Sequence, residues 1–279
     1  MNNEAIGVFD SGLGGLTVVK ELSRHLPNER IVYFGDTARV PYGTKSAKTI
    51  IRYAREIVRV LVKHKVKMVV VACNTASSLA LDALKKEFDL PILGVIEPGV
   101  RKAVDVTRNK RVGIIATSST IKSGKYTKKI VQLNKNIVVR TQACPLFVPL
   151  VEEGWFEHPV TYQVARQYLG DMKKRKIDTL ILGCTHYPLL KGVLRHVMGP
   201  NVQLVDSARE VALQVKELLT KTRLLRVPAS VRHEDHEDRT RLGPCRHMFI
   251  VSDEPKQFQR LASRFLGRGV KNVRSHIYV

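Results

Sequence analysis

Two cysteines carry the first chemical signal in this chain. Cys73 ends an apolar run, Met68-Val69-Val70-Val71-Ala72, and is followed by Asn74-Thr75. Cys184 ends a second run, Leu180-Ile181-Leu182-Gly183, and is followed by Thr185-His186. The two positions are 111 residues apart. A thiol becomes a usable base near neutral pH when neighbours move its pKa down from about 8.5. Two thiols facing one carbon from opposite sides could take a proton from one face and return one to the other. Asp10 and His186 could manage those protons. A carboxylate beside a thiol raises its pKa and a protonated imidazole lowers it, so Cys184 is expected to be the more readily ionised of the two. Other uses of two cysteines stay open. They could form a redox disulfide, or one could be an acyl-transfer nucleophile, although Cys184-Thr185-His186 lacks the separated base of nucleophilic families.

The elements that must position these residues repeat. Ile6-Gly7-Val8-Phe9-Asp10-Ser11 opens one half and Val112-Gly113-Ile114-Ile115-Ala116-Thr117-Ser118 the other, with their glycines 106 residues apart. Runs rich in β-branched residues, bounded by small and polar ones, read as buried strands of parallel sheets. The expected fold is therefore α/β, with two pseudo-symmetric doubly wound domains and the active site in the cleft between them. Each half would present one thiol at the carboxyl edge of its sheet, where open α/β sheets bind ligands. The crossing points read as Glu97-Pro98 and Asp206. They give a first domain of residues 1–97 plus 207–279, carrying Cys73, and a second of 98–206, carrying Cys184.

Several stretches between the strands hold candidate binding groups. The turn Asp10-Ser11-Gly12-Leu13-Gly14-Gly15 is rich in glycine but lacks the G-x-G-x-x-G spacing of a dinucleotide site. Its acidic residue suits an ammonium or a thiol base better than a pyrophosphate, and Asp10 or Ser11 could equally be a helix cap. A Pro/Gly-rich loop, Gly35 to Ser46, holds Pro41-Tyr42-Gly43 and precedes an amphipathic helix from Ala47 to His64. A helix is expected from Ser77 to Phe88 and a short strand from Leu90 to Ile96. Pro145 to Trp155 reads as a mixed apolar and acidic loop. Asn74, Thr75, Thr117, Thr185 and the turn amides could hold carboxylates. No cofactor motif and no lysine suited to a Schiff base is recognisable.

Composition narrows the function classes. The chain has 279 residues, 44% of them hydrophobic, enough for two cores. No apolar run approaches the ~20 residues of a membrane span, and no apolar leader precedes the first strand, so a cytoplasmic protein without membrane association is expected. Its four cysteines lack close pairing, which argues against a zinc site; Cys144 and Cys245 read as small core residues. The net charge is +22, from 47 Lys and Arg against 25 Asp and Glu. That excess implies weak electrostatic attraction to nucleic acid, but it is scattered over helices and no nucleic-acid-binding motif accompanies it. Residues 221–246, which include Arg232-His233-Glu234-Asp235-His236-Glu237-Asp238-Arg239, are dense in both charges and read as an exposed linker.

Five stretches carry a resemblance: Gly7 to Val18 with its Asp-Ser-Gly turn, Tyr33-Phe34-Gly35-Asp36 through Pro41-Tyr42-Gly43, Ala72-Cys73-Asn74-Thr75-Ala76, Pro149 to Gly154, and Leu182-Gly183-Cys184-Thr185-His186-Tyr187-Pro188. They are similar to those of bacterial glutamate racemases, within the aspartate/glutamate racemase superfamily. The match covers residues 5–220. The resemblance implies a cofactor-independent enzyme that interconverts L- and D-glutamate and supplies D-glutamate for peptidoglycan. It implies that Cys73 handles the proton of the D-isomer and Cys184 that of the L-isomer. Substrate contacts map to Asp10, Ser11, Tyr42, Gly43, Asn74, Thr75, Thr185 and His186, and a homodimer is implied. An aspartate racemase is the alternative within the superfamily.

Overall fold

The computed structural model describes residues 4–226, 247–267 and 269–276. Cys245, most of the charged stretch 221–246 with His233 and His236, and the first three residues lie outside the described residues. In chain order the elements are β1 (Ala5–Asp10), α1 (Leu16–His25), β2 (Ile31–Gly35), α2 (Ala47–Lys63), β3 (Val66–Val71), α3 (Asn74–Leu79), α4 (Leu81–Glu87), β4 (Ile92–Gly94) and α5 (Ile96–Val106). Then come β5 (Arg111–Ala116), α6 (Ser118–Lys122), α7 (Lys125–Leu133), β6 (Val138–Ala143), α8 (Phe147–Glu152), α9 (Pro159–Lys174), β7 (Thr179–Gly183), α10 (Lys191–Met198) and β8 (Gln203–Val205). The described chain closes with α11 (Ser207–Lys221), β9 (Met248–Val251), α12 (Pro255–Leu266) and β10 (Val273–Ser275). No helix among the described residues is long and apolar enough to cross a membrane.

The strands form two all-parallel sheets, ordered β10-β9-β2-β1-β3-β4 and β6-β5-β7-β8. The repeat is visible in that order: β2-β1-β3-β4 and β6-β5-β7-β8 are the same pattern, with β9 and β10 added to the first. The direction of winding reverses between β1 and β3 in the first sheet and between β5 and β7 in the second. That switch point opens a crevice at the carboxyl ends, where α/β sheets take ligands. The residues emerging there are Asp10-Ser11 and Cys73 in the first sheet, Thr117 and Cys184 in the second.

Both faces of each sheet are covered, so the central strands are mostly apolar, the buried exceptions being Asp10, Lys67 and Thr179. Every residue of β1, β3 and β7 is buried. Helix α2 shows how a covering element is specified. Ile50, Ala54, Ile57, Val58 and Leu61 recur at helical spacing and are buried, and the Ser46 side chain caps the helix by accepting from the Thr49 amide. Helix α11 packs Val211, Ala212 and Val215 into the core of the first sheet, whereas α5 packs Ile96, Val100 and Ala103 into that of the second. One buried ion pair ties the first core to the chain leaving α11. Lys67 Nζ lies 2.7 Å from Glu29 Oε2 and donates to the Leu224 carbonyl, while Glu29 Oε1 accepts from the Arg226 amide.

Four elements differ from the sequence reading. The helix expected from Ser77 begins at Asn74, so Asn74 and Thr75 form its first turn, and it breaks at Ala80 into α3 and α4. Glu97, Pro98 and Gly99 lie within α5, not beyond a strand end. Pro98 sits in the first turn, where its missing N–H has no helical partner to lose. Residues 147–152 form α8, because Phe147, Val148 and Val151 bury one face and Pro149 again falls in a first turn. Strand β10 is additional.

Candidate functional site

A cavity of about 140 Å³ lies between the two sheet edges. Both halves of the repeat line it. Ser11, Tyr42, Gly43, Cys73, Asn74 and Thr75 come from the first; Thr117, Cys184, Thr185 and His186 come from the second. These are ten of the eleven residues expected from the sequence. The eleventh, Asp10, stands directly behind the cavity wall.

Cys73 occupies the last extended position before α3 and is 4% exposed. Burial pushes its thiol up to about 12, and the Asp10 carboxylate adds to the rise; the Ala76 amide and the Ser11 hydroxyl, both hydrogen-bonded to the sulfur, oppose it. Cys73 therefore rests as the neutral thiol at neutral pH. Asp10 is held on both sides. Its Oδ2 accepts the Gly12 and Gly15 amides at 3.1 and 3.0 Å, and its Oδ1 accepts the Thr185 hydroxyl at 3.2 Å from the other half. It is at once the cap of the glycine turn and a bridge between the two sheets. Gly14 is what permits that approach, since a Cβ there would overlap the Thr185 and His186 side chains.

Cys184 is 7% exposed and sits where β7 gives way to a turn. His186 Nδ1 lies 3.8 Å from its sulfur, and His186 Nε2 lies 3.3 Å from Glu152 Oε1. Burial alone would discharge this ring. The hydrogen bond to Cys184 and the Glu152 contact outweigh burial, and the Cys184 sulfur and Asp10 carboxylate add attraction, so His186 is pushed up to about 10. The ring is an imidazolium at neutral pH, beside one thiol and not the other. The two sulfurs are equivalent in topology and unlike in electrostatics.

Hydroxyls from both halves meet on one wall. Thr75 Oγ1 pairs with Thr117 Oγ1 at 2.9 Å and with Thr120 Oγ1 at 3.2 Å. The loop carrying Tyr42 and Gly43 docks on the same wall, since Ser119 Oγ donates to the carbonyls of Gly43 and Lys45. Gly43 leaves no room for a side chain, because a Cβ would stand 2.6 Å from that of Thr117. From behind, Tyr42 Oη donates to Asp36, whose second oxygen accepts the Ser252 hydroxyl. Hydroxyls and helix-start amides of this kind are neutral donors, suited to carboxylates. Among the described residues no group of three or more His, Cys, Asp or Glu is placed to hold a metal ion.

Sequence reasoning passed over Glu152, Thr120, Tyr126, Ser118 and the apolar wall of Pro145, Val148 and Pro149. Glu152 reaches His186 only because residues 147–152 are helical, and the two prolines conceal that helix. The signal in the sequence is the i, i+1, i+4 spacing of the apolar residues Phe147, Val148 and Val151.

The chain matches the family model for Asp/Glu/Hydantoin racemases over residues 6–215. It is 52% identical to a glutamate racemase of Geobacter metallireducens over 270 residues, 97% of this chain and 95% of that one. A crystal structure of a glutamate racemase isoform from Bacillus anthracis superposes with a TM-score of 0.90 at 36% identity, covering 99% of this chain and 98% of that one. A glutamate racemase structure from Francisella tularensis, solved in complex with D-glutamate, superposes with a TM-score of 0.86 at 36% identity, covering 100% and 98%.

Proposed function

The chain belongs to the Asp/Glu/Hydantoin racemase family, among its glutamate racemases, and from that premise we propose that it interconverts L- and D-glutamate by two-base proton transfer between Cys73 and Cys184, with no added cofactor. In one direction the thiolate of one cysteine takes the Cα proton and becomes a thiol. The carbanion so formed keeps its electron pair, delocalised into the α-carboxylate, until the thiol of the other cysteine protonates the opposite face. Roles reverse for the other enantiomer, with Cys73, a thiol at rest that gives up its proton before it can act as base, working on the D-isomer and Cys184 on the L-isomer. The observation that carries this reading is the pair of buried thiols in equivalent positions of the repeat, both lining one cavity sized for a small molecule.

The remaining residues supply positioning. The hydroxyls of Ser11, Thr75, Thr117 and Thr185, the Asn74 amide and the Tyr42-Gly43 segment take the two carboxylates. His186, kept charged and oriented by Glu152, supports the proton at Cys184; Asp10 supports that at Cys73 and anchors Thr185. The domains divide as 1–97 plus 207–279 and 98–206; the separate cores of the two sheets support that division, with α5 and its Ile96, which packs in the second core, beginning just before the first boundary. In the cell the product would be D-glutamate for peptidoglycan, made in the cytoplasm by a homodimer.

Replacing either cysteine by serine tests the mechanism. Each single variant should lose about 10²–10⁴ of racemisation in both directions, the usual worth of a positioned acid or base, with its melting temperature retained. A folded variant that keeps more than about a tenth of the activity would refute the two-thiol scheme.

A further inference from the structure

Tyr126 reaches across the junction of the two halves and touches the residue next to Cys73. It lies in the first turn of α7, and its ring is buried in the second core with Ile96, Val100 and Ile114. Its hydroxyl donates to Asn74 Oδ1 at 2.6 Å, a short buried bond that joins the second half to the first helical turn after Cys73. Burial holds the phenol well above its usual pKa, against the opposing pull of the Ser207 hydroxyl, so it keeps its proton.

The consequence lies in what Asn74 has left to offer. A side-chain amide has one oxygen that only accepts and one NH₂ that only donates. With the oxygen occupied by Tyr126, the N–H groups remain for the cavity that Asn74 lines. A donor there suits a carboxylate; the flipped amide would present a lone pair and repel one. Thr75, the next residue, is fixed by Thr117 and Thr120, so the whole turn after Cys73 is oriented by hydroxyls of the second half.

We propose that Tyr126 is a positioning residue for the reaction: by occupying Asn74 Oδ1 across the domain junction it commits the Asn74 amide to donate to a substrate carboxylate beside Cys73. The proposal rests on the racemase reading above, and it deepens that reading by tying carboxylate recognition in one half to a phenol in the other. A role confined to binding the substrate equally in ground and transition state appears in KM and not in kcat.

The test is a double-mutant cycle on Tyr126→Phe and Asn74→Ala, with D-glutamate racemisation followed by circular dichroism. Tyr126→Phe should raise KM about 3–10-fold, the usual worth of one neutral hydrogen bond, with kcat within about twofold. In the Asn74→Ala background the same change should leave KM where it is. Unchanged KM for Tyr126→Phe, or full additivity in the double variant, would overturn the proposal while leaving the racemase reading intact. A wild-type protein inactive on glutamate would overturn both. Asn74→Asp serves if Tyr126→Phe does not fold: its acceptor-only carboxylate, with Tyr126 in place, should abolish D-glutamate binding at concentrations that saturate the wild type, and retained binding would contradict the proposal.

Discussion

At the scale of single residues the site is two like groups in unlike settings. Cys73 is a buried thiol near a carboxylate, and Cys184 is a buried sulfur beside an imidazolium. That asymmetry has a consequence for stability. A His whose pKa rises from its ordinary 6.5 to about 10 on folding binds its proton more tightly in the native state. Its contribution is fully present below pH 6.5 and is lost as pH climbs through 10. Denaturation midpoints followed from pH 6 to pH 10 should therefore fall, with a slope of at most about 1.4 kcal/mol per pH unit from this one group. His186→Asn should flatten that slope below pH 9; an unchanged slope would mean that the ring is not held charged. The cysteines were legible in the sequence because the repeat marks them, and His186 because it stands two residues after one of them. Glu152 and Tyr126 were not, since their contacts depend on how α8 and α7 turn toward the cleft, and no local spacing records that.

At the scale of elements the site depends on strand-to-helix turns that hydrogen bonds join across the two halves. The strands were legible because parallel sheets buried on both faces need continuous apolar runs. The short helices were less so: Pro98 and Pro149 look like breakers, yet both fall in first turns where proline costs nothing. Gly43 illustrates how narrow the fit is. Gly43→Ala should force the Tyr42 loop off Thr117 and cut kcat/KM by as much as about 10², the effect of moving a binding wall by an ångström. Wild-type kinetics in that variant would show that the loop yields freely. The opposite end of the first sheet is secured by Lys67 and Glu29. Lys67→Met leaves a buried carboxylate without its cation and should cost about 3–5 kcal/mol in urea denaturation. A loss under 1 kcal/mol would mean that water reaches the pair.

At the scale of the molecule, two parallel sheets of matching strand order face each other across one cavity, and the chain passes between them at α5 and α11. The two-fold repeat was legible from the glycine and cysteine spacings; the extra strand β10 was not, because Val273-Arg274-Ser275 carries one apolar residue and is mostly exposed, without the apolar run that marks the other strands. The +22 charge belongs to this scale too. If it is a solvated basic surface, binding to duplex DNA should be lost between about 50 and 200 mM salt with no sequence preference, and sequence-selective retention at 200 mM would point to a dedicated site. The central claim, inversion at Cα by opposed thiols without added cofactor, is tested most directly by incubating the purified protein in D₂O with pure L-glutamate and, separately, with pure D-glutamate. The circular dichroism signal should decay to zero from both sides, with solvent deuterium appearing at Cα of the product enantiomer. An optical signal that persists for glutamate, or one that decays for aspartate alone, would contradict it.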